Sequence, residues 1–274
     1  MFHKPVSGLA GIALLLVCTP FARSQDFHVQ TRITNLREVA EAEKKGVRHP
    51  PHQRCESLFN AGRVYDYNDE GSEVTIFEPA HERFVVIDSA RRKATDVSFE
   101  YIDHRLHQAR ARRAEELQNT PKNSGYLEFE LHPRFQEKFD KERKLLILDS
   151  PYVKYTVKCA PADSSELLNA YLNYADWAAR LNYVAYRTSS LPDPRLAVNK
   201  RLRHWGMLPV SVELQVKLEN GAQMRADHSF TWKLDGDNKT YISHWDKMSS
   251  ARDVKRVHPD EFFKPPIKQA ANRR

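Results

Sequence analysis

Residues 74–88 read VTIFEPAHERFVVID, and this stretch decides the fold class of the chain. Two runs rich in β-branched and aromatic side chains, Val74–Glu78 and Arg83–Asp88, are separated by four residues that begin with a proline. Such runs predict two strands joined by a short turn. Upstream, Ser57–Tyr67 (SLFNAGRVYDY) predicts a third strand that ends at the turn residues 68–71. Three strands with short connections indicate an antiparallel meander.

Helical periodicity follows the meander and recurs in the second half of the chain. The four predicted helices begin at Ser98, Asp163, Asp193 and Asp235. Ser98 can cap the first helix, and Asp163 with Glu166 forms a capping-box pattern for the second. Pro194 occupies the first position of the third helix, which is predicted to end at Trp205 and Gly206. These helices supply apolar faces that can cover a sheet.

Residues 210–232 read VSVELQVKLENGAQMRADHSFTW and predict a hairpin. Both halves alternate between apolar and polar side chains around Asn220 and Gly221. A two-residue loop would place apolar side chains opposite polar ones, whereas matching faces require apolar partners. We therefore predict a three-residue loop, residues 220–222, or a bulge beside the turn, with Leu218 opposite Met224.

Further strands and a polar segment complete the predicted architecture. The additional strands are Phe27–Thr34, Leu145–Asp149, Tyr152–Lys158 and a short one at Val254–Val257. Residues 37–54 are charged and contain Pro50–Pro51, which indicates a polar excursion that is partly helical at best. The sequence thus predicts one α+β domain over residues 25–263, with a disordered tail at 264–274. Its framework is predicted to be a curved antiparallel sheet, an incomplete barrel, with about four helices packed against it.

Residues 1–24 have the pattern of a cleavable secretory signal peptide. A basic start precedes the uncharged run from Gly8 to Cys18, and small residues at 22 and 24 precede Gln25. A membrane anchor is the alternative, but a spanning helix needs about 20 apolar residues. Cys18 could also indicate lipoprotein processing, although Val17 departs from the small residue expected there. We expect an exported chain, periplasmic or secreted, without a transmembrane segment in its mature form.

Composition excludes some functions. The chain is 41% hydrophobic and 29% charged, which is ordinary for a folded protein. The net charge of +7 includes Lys4 and Arg23 of the signal, which leaves the mature chain at about +5. A modest, dispersed charge is typical of a soluble surface, and attraction to anionic lipid or polymer is the alternative. We expect no nucleic-acid partner, because no binding motif is present.

Two cysteines, Cys55 and Cys159, remain after removal of the signal. An oxidising compartment permits them to form a disulfide, and the sequence leaves pairing open. Neither lies in a C-x-x-C motif, so a redox role is not indicated.

Motifs for metals and catalysis are weak. His104 and His107 share a helical face, but no third ligand can be named. Asp66 opens a calcium-loop-like pattern that fails at its twelfth position, Phe77, and Asp235 is better explained as a helix cap. The Ser elbow, the H-E-x-x-H motif and the P-loop are absent. We therefore assign no catalytic residue, no metal and no cofactor.

Aromatic side chains are the most suggestive feature. Weak candidates for contact with a ligand are Tyr171, Tyr174, Trp177, Trp232 and Trp245. Ordinary core packing is the more common explanation for such residues. The functional interpretation is an apolar cavity between the sheet and its helices, suited to a lipid or acyl chain.

Three segments carry a resemblance to known proteins. Ile76–Val97 (IFEPAHERFVVIDSARRKATDV), Tyr174–Asn182 (YADWAARLN) and His228–Leu234 are similar to a family of exported planctomycete proteins without known catalytic residues. More distantly, the meander and its following helix resemble the bacterial lipoprotein-localisation carriers. That resemblance implies a curved sheet closed by helices over an apolar cavity, and it is an analogy of topology. The cysteines and residues 37–54 are outside both patterns.

Three functions follow as hypotheses. The first is a non-enzymatic envelope protein that binds an apolar ligand, lipid or lipidated partner in a sheet–helix cavity. The second is a structural or interaction protein with a filled core. The third is a hydrolase or metal-dependent enzyme without a recognisable local motif.

Overall fold

The computed structural model describes residues 26–47, 53–68, 72–120, 124–186 and 190–264. The predicted signal peptide, the Pro50–Pro51 segment and the tail beyond Lys264 lie outside these residues. Among the described helices, none is long and apolar enough to cross a membrane.

A single twelve-stranded sheet forms the framework of the described chain. The strands are β1 (Phe27–Asn35), β2 (Gln53–Asn60), β3 (Arg63–Asn68), β4 (Glu73–Glu78), β5 (Arg83–Asp88), β6 (Lys93–Ser98), β7 (Gln136–Asp140), β8 (Leu145–Asp149), β9 (Val153–Pro161), β10 (Met207–Val216), β11 (Gln223–Thr231) and β12 (Lys255–Arg256). Their order is β12-β6-β5-β4-β3-β2-β1-β11-β10-β9-β8-β7. The pairs are antiparallel except β12 with β6. Because no pairing joins β7 to β12 in the described structure, the sheet is open.

Seven α-helices are present in the described residues. They are α1 (Leu36–Lys44), α2 (Phe99–Asn119), α3 (Ser124–Leu131), α4 (Ser165–Tyr186), α5 (Asp193–Trp205), α6 (Gly236–Ser249) and α7 (Pro259–Phe262). The expectation of about four helices matches the four long ones, α2, α4, α5 and α6, and omits three of nine residues or fewer. The α+β class is confirmed, and the helix number is corrected.

The sheet separates two apolar cores. Alternation along each strand sends successive side chains to opposite faces, so Val64 enters one core and Tyr65 the other. The larger core lies beneath α2, α3, α4 and α5, and its helical contributors include Leu106, Leu172 and Leu202. The smaller core is covered by α6 through Ile242 and Trp245. Of these helices, α4 and the first turn of α5 cover the candidate site.

The predicted strand over residues 57–67 is wrong, because the chain reverses within it. Strand β2 ends at Asn60 and β3 begins at Arg63, and these two residues pair. Ala61 and Gly62 form the two-residue turn with φ values of 49° and 79°. Positive φ at both central residues matches the right-handed twist of a hairpin. The turn was missed because an alanine occupies the position where asparagine or aspartate usually signals it.

The predicted register of the 210–232 hairpin is also wrong. Leu214, rather than Leu218, lies opposite Met224, and residues 217–222 form a longer loop. Because side chains alternate between the two faces of a strand, a shift by the even number of four residues keeps each side chain on the same face. The apolar faces of the two strands therefore still match. The Lys217 amide donates to the Tyr152 carbonyl at 2.7 Å, which draws the chain out of the hairpin. The structure also has a β-bulge between Pro209 and Ser211, where none was predicted.

Several elements carry little apolar pattern and were not predicted. Strand β7 (QEKFD) is an exposed edge, β6 is short, and α3 and α7 have eight and four residues. The start of α4 also differs from the prediction. Ser164 Oγ, rather than Asp163, accepts from the Leu167 amide at 3.1 Å. Asp235 does cap α6, accepting from the Asn238 amide at 2.8 Å.

Asp246 fastens α6 to the sheet, and its replacement should be destabilising. It accepts two hydrogen bonds from the Arg63 guanidinium, both at 3.0 Å, and one from the Tyr65 hydroxyl at 2.8 Å. Because the Tyr65 side chain is fully buried, Asp246→Ala leaves its hydroxyl unsatisfied. We expect the free energy of unfolding to fall by about 1–3 kcal/mol.

Urea denaturation of Asp246→Ala and of a surface-pair control checks this expectation. Asp253 pairs with Arg92 in an exposed ion pair, so Asp253→Ala should cost no more than about 1 kcal/mol. Equal destabilisation by the two variants would contradict the assigned role of Asp246.

Candidate functional site

A cavity of about 680 Å³ lies between the sheet and α4. Its walls come from β1, β2, β3, β4, β5 and β11 below, and from α4 and one residue of α5 above. The lining residues are Val29, Thr31, Ile33, Gln53, Cys55, Ser57, Asp66, Tyr67, Asn68, Glu73, Thr75, Phe84, Tyr171, Tyr174, Ala175, Ala178, Leu181, Asn182, Tyr186, Arg195 and His228. Ligand pockets in proteins commonly have volumes of about 300–1,000 Å³. The cavity is therefore large enough for a small organic ligand.

The floor of the cavity is more polar than the expected apolar pocket. Strand pairing aligns His228 with Thr31, and Thr31 with Cys55, in one row across β11, β1 and β2. Cys55 in turn pairs with Asn68 of β3. The neighbouring row aligns Ser57, Asp66 and Thr75. Apolar surface comes instead from α4 and from flanking strand residues.

The β3–β4 end of the cavity is rich in acceptors. Asp66 Oδ2 accepts from Ser57 Oγ at 3.0 Å and from the Tyr174 hydroxyl. Burial raises the pKa of Asp66 to about 6, although these two hydrogen bonds oppose the rise. Glu73 accepts from the Tyr186 hydroxyl, and burial raises its pKa as well. Asn68 Oδ1 is buried without a hydrogen-bond partner among the described residues.

The β11 end of the cavity has the opposite character. His228 Nδ1 and Thr31 Oγ1 form a hydrogen bond of 2.9 Å. Burial, together with the positive charge of Arg195, lowers the pKa of His228 to about 4. Burial raises the pKa of Tyr171 to about 12, so its hydroxyl is a neutral donor at pH 7. This end combines a cation with neutral hydrogen-bonding groups.

The structure brings two of the five aromatic candidates to the cavity. Tyr171 and Tyr174 line it, and their rings lie 6.3 Å and 5.7 Å from that of Phe59. Trp177 stacks on Phe99 at 3.6 Å in the helical layer.

The two remaining tryptophans lie away from the cavity. Trp232 stacks on Phe230 and is 39% exposed, outside the cavity lining. Trp245 belongs to the smaller core, on the opposite face of the sheet. Helical spacing identified Tyr171 and Tyr174. Stacking on Phe99 accounts for Trp177, and burial in the smaller core accounts for Trp245.

Cys55 and Cys159 do not form a disulfide in this structure. They lie on β2 and β9, four strand spacings apart in the sheet order. Four spacings amount to about 19 Å, whereas a disulfide requires Cα atoms within about 7 Å. Burial raises the pKa of the Cys159 thiol to about 11, which disfavours a thiolate.

Within the described ranges, no group of three or more His, Cys, Asp or Glu side chains is placed so that it could hold a metal ion. His104 is exposed on α2 and contacts Gln108 at 2.9 Å.

Another depression, of about 510 Å³, lies beside α6 on the opposite face. Ile242 and Asp246 contribute to it, and both are already engaged in fastening α6 to the sheet. We place the candidate site in the cavity beneath α4, because that cavity is more enclosed and gathers the groups with shifted pKa values.

The polar residues of the site that were not predicted from the sequence include Asp66, Glu73, Arg195 and His228. A local signal exists for two of them. Asp66 has the same parity as the buried Val64, and His228 has the same parity as Phe230, so each is a polar side chain on an inward face. Such residues deserve more weight than exposed motifs such as His104 and His107.

No protein-family model matches the chain. No curated protein matches it either.

Proposed function

We propose that this chain is a non-enzymatic envelope protein that binds an apolar ligand or a lipidated partner in the cavity beneath α4. The observation that carries the proposal is the 680 Å³ cavity between the sheet and that helix. A structural protein with a filled core gives no account of this volume, because interiors are normally close-packed.

The residues that line the cavity indicate which class of ligand it can bind. The side chains of α4 offer tyrosine rings and the small residues Ala175 and Ala178, while the strands offer hydroxyl, amide and carboxyl groups. An apolar wall facing a polar floor suits an amphiphile, whose chain packs on the helix and whose head group bonds to the strands.

The finer architecture belongs to the same proposal. We interpret the open antiparallel sheet as an incomplete barrel that curves around the larger core, with α4 as its cover. This arrangement is analogous to that of the lipoprotein-localisation carriers, which the sequence resembles at a distance. Export remains part of the proposal through the pattern of residues 1–24.

Filling the cavity should abolish ligand binding. Ala178 lines the cavity, so the ring of Ala178→Phe would occupy the space of the ligand chain. We expect the affinity for a dansyl-labelled fatty acid to fall at least about tenfold, which corresponds to about 1.4 kcal/mol. Fluorescence titration of the purified chain measures it.

Ala179→Phe provides the matched control, because Ala179 is adjacent on α4 and does not line the cavity. Its affinity should remain within about twofold of that of the unmodified chain. Native mass spectrometry after mild purification gives an independent readout. No probe binding and no co-purifying lipid would count against the proposal.

A hydrolase is the second candidate, since the cavity contains His228 together with Asp66 and Glu73. Perturbed titratable groups in a cleft are typical of catalytic sites. However, within the described chain the hydrogen-bond partners of Asp66 are Ser57 and Tyr174, and that of His228 is Thr31. Turnover of a p-nitrophenyl ester that His228→Asn abolishes would favour this candidate.

A further inference from the structure

Arg195 is a cation that faces the cavity without a carboxylate partner among the described residues. It belongs to the first turn of α5, and its guanidinium donates from Nη1 to Asn199 Oδ1. The described structure shows no other hydrogen bond or ion pair for this side chain. A charge placed in this way can be neutralised by a bound anion.

The neighbours of Arg195 hold it in place without neutralising it. Asn199 is fully buried, and its Nδ2 donates to Asp176 Oδ1 at 2.7 Å. Asp176 is itself paired with Arg203 at 2.6 Å. Asp176 therefore pairs directly with Arg203, and its hydrogen-bonded link to Arg195 passes through the neutral amide of Asn199. Such a relay fixes the guanidinium before a ligand arrives, which lowers the entropic cost of binding.

Two neutral groups near Arg195 can complete an anion site. The charge of Arg195 acts on both His228 and Tyr171, whose rings lie 6.3 Å apart. The Tyr171 hydroxyl has no hydrogen-bond partner among the described residues and is a donor. When His228 Nδ1 accepts from the Thr31 hydroxyl, Nε2 carries the proton and is a second donor.

The carboxyl groups of the cavity lie at its other end. Asp66 and Glu73 are on β3 and β4, whereas His228 is on β11, at least three strand spacings away. Three spacings amount to about 14 Å along the sheet, so neither carboxyl group is a direct neighbour of His228, although the charge of Asp66 does act on Tyr171. Repulsion from Asp66 and Glu73 therefore disfavours an anion at the β3–β4 end and favours one beside His228 and Arg195.

We propose that Arg195, with His228 and Tyr171, binds the anionic head group of an amphiphile whose apolar chain lies along α4. The inference rests on the proposed ligand-binding function and specifies the charge of the ligand. A carboxylate or a phosphate monoester satisfies the same geometry, because a guanidinium can donate two parallel hydrogen bonds to either.

Ligands with one chain and different head groups test this inference. We expect the unmodified chain to bind oleate and 1-oleoyl lysophosphatidate at least about tenfold more tightly than oleyl alcohol. The ratio between the two anions then identifies the carboxylate or the phosphate as the preferred head group. Isothermal titration calorimetry and displacement of a dansyl-labelled fatty acid measure these affinities.

Arg195→Gln should remove the preference for anions. We expect its oleate affinity to fall at least about tenfold while its oleyl alcohol affinity stays within about twofold. Arg195→Lys, which retains the charge but not the planar donors, should recover part of the loss. Lys200→Gln, an exposed position on the same helix, removes one positive charge and should change neither affinity.

The outcomes separate this inference from the proposed function. Binding of oleyl alcohol as tightly as oleate would overturn the anion site and leave ligand binding intact. Equal losses for both ligands in Arg195→Gln would assign Arg195 a merely structural role and overturn the inference. If the unmodified chain binds none of the three ligands, both the proposed function and the anion site fail.

Discussion

Replacing Phe77 with alanine should lower the free energy of unfolding by about 3–5 kcal/mol. Phe77 is buried on β4, facing the larger core. Its ring lies 5.0 Å from that of Phe84 on β5, 5.8 Å from Phe99 on α2 and 5.7 Å from Tyr174 on α4. One side chain thus joins the meander to both α2 and α4. Its truncation leaves a void that these elements cannot all close at once.

Guanidinium chloride denaturation measures the loss, and Tyr241→Ala is the matched control. Tyr241 is also aromatic but is 48% exposed on α6. Its ring contacts only that of Tyr67 among the described rings, at 5.7 Å, so its removal should cost no more than about 1.5 kcal/mol. A loss below about 1 kcal/mol for Phe77→Ala would mean that the two helices are not packed on the meander as described.

The contacts of Phe77 also show why this part of the fold was predictable. Val74–Glu78 and Arg83–Asp88 were identified because their apolar content is local and their turn contains Pro79. The reversal at Ala61–Gly62 was missed because its cause is a backbone conformation, φ above zero at both residues. Strand β7 was missed because an exposed edge strand has no buried face to produce alternation.

The candidate site was predictable only in part, for a related reason. Tyr171 and Tyr174 lie on one helix, so helical spacing alone brought them together. Asp66, Arg195 and His228 are distant in sequence and line one cavity only because β3, β2, β1 and β11 lie side by side in that order beneath α4. Strand order results from long-range pairing that no local pattern encodes.

Asp66 and His228 should give the stability of this protein two opposing pH dependences. The pKa of Asp66 rises from 3.8 to about 6 on folding, so the folded state binds its proton more tightly. Its contribution to stability is therefore present at low pH and is lost as the pH rises from about 4 to about 6. The pKa of His228 falls from 6.5 to about 4, so its contribution is present at neutral pH and is lost as the pH falls from 6.5 to about 4.

In the unmodified chain the two contributions to the pH dependence of stability have opposite signs and cancel. A variant at one of the two positions shows the other contribution alone. We expect each to amount to about 2 kcal/mol, after allowance for cavity water that screens both side chains. Asp66→Asn retains an oxygen that accepts from the Ser57 and Tyr174 hydroxyls. Only the His228 contribution then remains, so the free energy of unfolding of this variant should fall as the pH is lowered. His228→Asn retains an amide near the Nδ1 position. Only the Asp66 contribution then remains, so the free energy of unfolding of this variant should rise as the pH is lowered.

Urea denaturation at several pH values between about 4 and 7 measures both slopes, relative to the unmodified chain. The remaining titratable groups are common to all three proteins, so differences between the curves report the two cavity residues. The double variant should restore the slope of the unmodified chain, because the pair then contributes nothing at any pH. If the two single variants instead had the same slope, Asp66 and His228 would be in contact with bulk water, and the cavity beneath α4 would be open rather than enclosed.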